Sequence, residues 1–341
     1  MAIHYQILGD SGRDNVLYVT IDTGQNIFRL LFDCGSDCLL PALSIADIQS
    51  IDHLFFSHFH MDHISGFDTF FRINYGRATR ENHIWGPVGA AGIMWHRFRG
   101  FGWNLYDELE SEWYVHDIDT NVIATHLFFG CDAFLQGSPV SSEPYKVKIL
   151  DNSFYSVEAY VMNHNTPSIA YIVREKSSVN IDTEKLADMG LRGGSWIRDV
   201  KSRTIPDEKR LVVDGKSYTI GELRASLLVE TPGDSIAYLS DFLLDDAAED
   251  VLSRALNGVK TMVCESQYRH EDIELAEKNY HMTATQVAKL AKRANVENLI
   301  LFHVSDRYDR DGLSTMLHEA QQIYPDAQFP AHWRLDSIQM T

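Results

Sequence analysis

Residues Ser57-His58-Phe59-His60-Met61-Asp62-His63 crowd three histidines and an aspartate into one short run. The run follows 51–56, an apolar, β-branched and aromatic segment that reads as a buried strand. Histidine is only 15 of 341 residues, so chance is a poor account of H-x-H-x-D-H. A turn after a strand displays side chains on a rigid scaffold. Two ligands at alternate positions, then two adjacent ones, suit a pair of metal ions side by side. The plain alternative is a polar loop with satisfied histidines.

A metal pair needs more ligands than four. Candidates stand at the ends of other predicted strands: His164 after 154–162, Asp241 after 236–239 and His303 after 299–302. Zinc takes imidazole and carboxylate ligands readily, so three such endings favour convergence on one edge of the sheets. His281, beside Met282 and Thr283, starts a predicted helix. The remaining histidines, His53, His83 and His116 among them, read as surface or packing residues.

The other predicted strands are 3–8, 16–21, 27–32, 83–85, 122–129, 145–149, 169–174 and 261–264, with a helix near 65–75 and a break at Gly86 and Pro87. From 244 to 324 the pattern is helix, strand, helix, helix, strand, helix. Strand runs with helices between some of them, in two similar halves, predict a layered α/β domain of mixed sheets. Residues 96–145 mix aromatics with acids and read as an acidic insertion or surface segment. Residues 176–226 read as loop-rich with two short helices.

The net charge of −18 excludes a chain that binds nucleic acid over its whole surface. The deficit is uneven. Residues 174–216 hold 10 basic and 8 acidic residues, a local +2 that leaves −20 for the remainder. A polyanion would approach there, although a solvated loop explains the same composition. No apolar run is long enough for a membrane span, and the N-terminus lacks a signal-peptide pattern. Cys34, Cys38, Cys131 and Cys264 read as free thiols, so a cytoplasmic location is expected.

The H-x-H-x-D-H string resembles the signature of the metallo-β-lactamase superfamily. The later motifs resemble ribonuclease Z, the endonuclease family that trims tRNA precursors. They are His164, Pro167, Ser168 and Tyr171; the stretch 182–196 with Leu186, Gly190, Leu191, Gly193 and Gly194; Tyr280-His281-Met282-Thr283-Ala284; and 301–308 with His303, Ser305, Arg307 and Tyr308. The matches keep the family's order from Ile7 to Tyr308. The resemblance implies one domain over 1–341 with an αββα sandwich of two mixed sheets flanked by helices, and a substrate arm near 174–216. It also implies two zinc ions, with manganese or iron as alternatives. One would take His58, His60, His164 and Asp241, the other Asp62, His63, Asp241 and His303, with Asp241 bridging.

On the same resemblance, Asp62 orients or deprotonates the water. His281 protonates the leaving oxygen with Glu265 as its partner. Ser305 and Arg307 are candidates for phosphate contact, although Arg307 has Asp306, Asp309 and Asp311 as plain partners. Lys185, Arg192 and Arg198 on the arm are candidates for RNA contact. Asp33 either fixes a ligand histidine or only forms the turn before Gly35. The family is commonly a homodimer. The sequence departs from it at Ser240-Asp241-Phe242, Cys264-Glu265-Ser266-Gln267 and Gly193-Gly194. These departures and the acidic 96–145 favour the alternative of a small phosphodiester such as a cyclic nucleotide. A β-lactam or thioester hydrolase, a diiron redox protein and an inactive binding module fit the ligand pattern less well.

Overall fold

The computed structural model describes residues 2–334. Contacts divide it into two compact units, a body (2–174 and 234 onward) and an arm, Glu175–Gly233.

The body begins with an eight-stranded sheet in sequence order: β1 Ala2–Leu8, β2 Val16–Asp22, β3 Ile27–Phe32, β4 His53–Phe55, β5 Asn82–Pro87, β6 Glu112–Ile118, β7 Val122–Phe129 and β8 Ser138–Pro144. From β3 to β6 the strands run parallel, so their C-terminal ends share one edge. A second sheet takes β9 Lys148–Asp151, β10 Tyr155–Asn163 and β11 Pro167–Glu175 from before the arm. The arm contributes two antiparallel pairs, β12 Ser178–Ile181 with β15 Leu228–Thr231 at its base and the hairpin of β13 Arg210–Val213 with β14 Lys216–Thr219. The second sheet is completed by β16 Ser235–Leu239, β17 Thr261–Glu265 and β18 Asn298–Phe302, in the order β18-β17-β16-β11-β10-β9. β16, β17 and β18 are again parallel.

Alternation along the strands builds the layers. Ile7, Leu17, Val19, Ile21, Leu30, Phe32 and Phe55 share a core with Tyr155, Ile169, Tyr171, Tyr238 and Leu239 of the second sheet. The opposite residues, Leu31, Leu54 and Phe56, pack under helices Phe67–Asn74 and Ala90–Phe98 through Phe67, Phe71, Met94 and Phe98. Helices Asp246–Ala255, Ala284–Arg293 and Arg310–Gln321 cover the second sheet with Leu252, Val287, Leu290 and Met316. Thr283 caps the middle one, with Gln286 closing the capping box. This is the expected metallo-β-lactamase-like αββα arrangement.

Three local features differ from the sequence reading. Residues 96–145 supply three strands of the first sheet, where only β7, at the expected 122–129, is read from sequence. Trp113, Val115 and Ile118 point inward, and β8, with Pro139 and Pro144 and mostly exposed residues, is an edge where proline is tolerated. The break expected at Gly86 and Pro87 lies inside β5, where Pro87 is the last residue. The arm is more ordered than its composition indicates. Its helices Thr183–Asp188, Trp196–Lys201 and Ile220–Leu227 enclose a small core of Leu191, Val200, Val213, Ile220, Leu223 and Leu227.

His53, His83 and His116 line up across β4, β5 and β6. His83 Nδ1 lies 3.1 Å from His116 Nε2, Trp85 donates to His53 Nδ1 at 3.2 Å, and His116 stacks on Trp85. Burial holds His116 down to about 3 and lowers His53 and His83 as well. Above pH 6.5 these rings are neutral in both folded and unfolded chains. Below it the unfolded chain gains protons that the folded chain refuses, so stability falls with pH. For His116 the loss reaches about 2 kcal/mol at pH 5. Urea unfolding at pH 7 and pH 5 should show that difference between the native chain and a His116→Asn variant, with the variant losing less on acidification. Equal acid losses would remove His116 from the account.

Candidate metal centre

The parallel strands deliver the ligands. Asp33 follows β3, Ser57 and His58 follow β4, Asp241 follows β16, Glu265 ends β17 and His303 follows β18. His164 sits in the turn between β10 and β11. His60 immediately precedes the short helix Met61–Ile64, which carries Asp62 and His63.

The ligand atoms of His58, His60 and His164 all lie within 4.8 Å of one another, as do those of Asp62, His63, Asp241 and His303. Asp241 joins the two groups. Its Oδ2 is 3.9 Å from His58 Nε2, 4.0 Å from His164 Nε2 and 3.3 Å from His63 Nε2, and its Oδ1 is 3.2 Å from His303 Nδ1. Asp62 Oδ2 lies 3.3 Å from both His63 Nε2 and His303 Nε2. The structure thus brings all seven predicted ligands to one place. It also puts a ligand atom of His281 within 4.8 Å of His164 and Asp241.

Several ring orientations are fixed from behind. Asp33 is fully buried and accepts from the Ser57 backbone N–H at 2.7 Å, Ser57 Oγ at 2.7 Å and Tyr238 Oη at 2.8 Å. The same carboxylate lies 2.8 Å from His63 Nδ1. Ser57 Oγ reaches His58 Nδ1 at 3.1 Å, and His164 Nδ1 donates to the Tyr280 carbonyl at 2.7 Å. Such contacts set the tautomer that leaves the other nitrogen free to ligate. Asp33 therefore has the supporting geometry, beyond a turn. The roles of Ser57 and Tyr238 were not anticipated. Tyr238 looks like any apolar strand residue until the fold brings its hydroxyl to Asp33.

His281 Nδ1 stands 3.0 Å from Glu265 Oε2, and Glu265 Oε1 accepts from the Met282 backbone N–H at 2.7 Å. Burial opposes a proton on His281, but the Glu265 and Asp241 carboxylates raise its pKa above the ordinary value. Ser305 and Arg307 follow His303 directly. Arg307 is exposed, lies over the Tyr268 ring at 5.3 Å and has Asp272 at 3.9 Å, in place of the three neighbouring aspartates considered from sequence. Lys185, Arg192 and Arg198 are exposed on the arm, and Lys185 pairs with Asp182 at 3.4 Å.

The centre's electrostatics fit metal ions. Among the described residues, His58 Nε2, His63 Nε2 and His303 Nδ1 are buried ring nitrogens with no hydrogen bond of good geometry, although Asp241 faces His63 Nε2 at 3.3 Å and His303 Nδ1 at 3.2 Å. Each such atom costs about 1–3 kcal/mol unless something engages it, and imidazole with carboxylate is a zinc donor set. Burial and the facing His63 hold His58 down to about 2. Against burial, Asp241 pushes His303 up to about 10, and Asp241 and Asp33 raise His63. Asp241 is in turn held well below the carboxylate range by His303 and His63, despite burial. Without metal, then, protons on His63 and His303 balance the carboxylates. A metal ion held there would have to displace those protons, so its binding would tighten as pH rises.

A family model described as "Anti-Pycsar protein Apyc1" matches residues 14–175. A ribonuclease Z from Deinococcus radiodurans is 40% identical over 327 residues, covering 96% of this chain and 97% of that protein. One from Chlamydia muridarum is 27% identical, covering 81% and 76%. Among solved structures, the metallo-β-lactamase fold protein YhfI of Bacillus subtilis aligns with a TM-score of 0.55 at 13% identity, covering 96% of this chain and 95% of its own. The short form of human tRNase Z aligns at 0.51 and 15%, covering 90% and 94%. These two structural likenesses establish the fold.

Proposed function

The chain belongs to the ribonuclease Z family of metal-dependent hydrolases, and from that premise we propose that it is a dinuclear phosphodiesterase that removes the 3′ trailer from tRNA precursors. The observation that carries the chemistry is the convergence of seven ligand side chains beside the paired Glu265 and His281. Family membership along nearly the whole chain carries the substrate.

His58, His60 and His164 would hold one ion, Asp62, His63 and His303 the other, with Asp241 between them. The bound pair would supply positive charge for the phosphodiester oxygens and a more acidic water. Asp62, with 43% of its side chain exposed, faces the open side and orients the water or takes its proton. His281, its pKa raised by Glu265 and Asp241, gives a proton to the leaving oxygen. Ser305 and Arg307 meet phosphate at the rim. Lys185, Arg192 and Arg198 of the arm meet RNA phosphates. The four free thiols support a reducing, cytoplasmic setting, and the family's common assembly supports a homodimer.

A second reading keeps the site and takes a small phosphodiester, such as a cyclic nucleotide. It is favoured by the acidic surface and by arm cations engaged with arm acids, Lys209 with Asp199 at 3.1 Å and Arg224 with Asp207. The test is a trailer-bearing tRNA precursor assayed beside cyclic nucleotides and a chromogenic phosphodiester. The intact protein should cut the precursor. Deleting 185–203 should weaken that cut and spare the chromogenic substrate. Equal loss on both would make the arm structural. Strong activity on cyclic nucleotides with none on the precursor would favour the second reading.

A further inference from the structure

The loop joining β1 to β2 touches both flanks of the group Asp62, His63, Asp241 and His303. On one flank, Asp14 Oδ2 accepts from the Ser36 backbone N–H at 2.8 Å. That turn lies directly behind the ligands. Cys34 N–H donates to the His63 carbonyl at 2.8 Å, and a Cβ on Gly35 would stand 2.5 Å from Asp14 Cβ and 2.9 Å from the Asp62 carbonyl oxygen. On the other flank, Asn15 is buried, with 2% of its surface exposed. Its Nδ2 donates to the carbonyls of Asp10 and Asp14, both at 3.1 Å, and its Oδ1 accepts from the His303 backbone N–H at 3.2 Å.

That last bond falls on an unusual residue. His303 adopts φ +50°, the left-handed region that costs a side-chain-bearing residue about 1 kcal/mol or more. Strand β18 has ended at Phe302, so no ladder holds the His303 N–H. The left-handed turn is what redirects the chain so that the imidazole faces Asp62 and Asp241. A conformation of this kind persists only where its surroundings enforce it.

We propose that Asn15 is a positioning residue that locks the left-handed turn at His303 and so sets the affinity for the metal ion shared by Asp62, His63, Asp241 and His303. The claim rests on the two-metal reading above. Asn15 touches neither substrate nor metal. It acts through the His303 backbone, and the loop's contact with the Asp14–Ser36 side fixes the spacing to Asp62.

The experiment counts Zn²⁺ on metal-free protein by competitive titration, for the native chain, Asn15→Ala and Asn15→Asp, with circular dichroism to check folding. Asn15→Ala should bind one ion as the native chain does and the other about 10–100-fold more weakly, the range expected for lost outer contacts. Asn15→Asp keeps an acceptor for the His303 N–H while losing both donor bonds, so it should restore the second ion. Unchanged binding in Asn15→Ala overturns the proposal, as does equal weakening of both ions. Equal impairment of the alanine and aspartate variants also overturns it, because the residue would then only anchor its own loop. Should Asn15→Ala not fold, Asn15→Asp decides: two ions at native affinity support the proposal, and a lost second ion overturns it. A native chain holding one ion contradicts the two-metal reading instead, and the positioning claim then stands or falls on whether Asn15→Ala weakens that ion.

Discussion

Replacing Asp241 by alanine should abolish activity and take metal content from two ions to fewer than one. The Asp241 carboxylate lies within 4.0 Å of ring nitrogens on His58, His63, His164, His281 and His303, and it is 2% exposed. Without it, the ion held by His58 and His164 would lose its negative charge, and the other would keep Asp62, 3.3 Å from His63 and His303, while Asp33 stays behind His63 and Glu265 stays 3.7 Å from His303. Hydrolysis should fall by about 10⁴-fold or more, because the charge stabilisation and the acidified water go together. Metal analysis after dialysis and a phosphodiesterase assay read the two losses. A variant that kept two ions and lost activity only tenfold would show that Asp241 does not bridge.

Replacing His281 by alanine should act on a different step. Both ions should remain, and kcat on RNA should drop by about 10²–10⁴-fold, the range of general acid catalysis. The drop should shrink on a chromogenic ester whose leaving phenolate needs no proton. The geometry behind this is the Glu265 carboxylate 3.0 Å from His281 Nδ1, which raises the ring's pKa against burial. His281 also stands at ligand distance from Asp241 and His164. If its removal strips an ion, or slows both substrates equally, it is a ligand or a structural residue, and the leaving-group role belongs elsewhere.

How legible the centre was depended on what lies next to each residue in the chain. The ligands adjoin apolar strands, and the H-x-H-x-D-H spacing is local, so pattern marks them as candidates and the family resemblance assigns them to two ions. From sequence Asp33 admits two readings because its partners, Ser57, His63 and Tyr238, are 24, 30 and 205 positions away. Asn15 and Tyr238 carried no local signal. An asparagine after an aspartate reads as a turn residue, and a tyrosine in Ser235–Leu239 reads as core. Only the return of the chain 288 positions later gives Asn15 its bond to His303. Residues 96–145 resisted for the opposite reason. Charges flank Trp113, Val115 and Ile118 closely enough to mask the alternation of a buried strand, and β8 is an edge with little to bury. The arm hid its order because its elements are short, four to eight residues each, and periodicity needs a longer window.

The central claim is that two ions in this one centre act together on a phosphodiester. Metal-free protein titrated with Zn²⁺, with bound metal and hydrolysis followed in the same samples, tests it most directly. Binding should saturate at two equivalents per chain, and hydrolysis should stay low through the first equivalent and rise over the second. Saturation at one equivalent, or full hydrolysis once a single ion is bound, would contradict it.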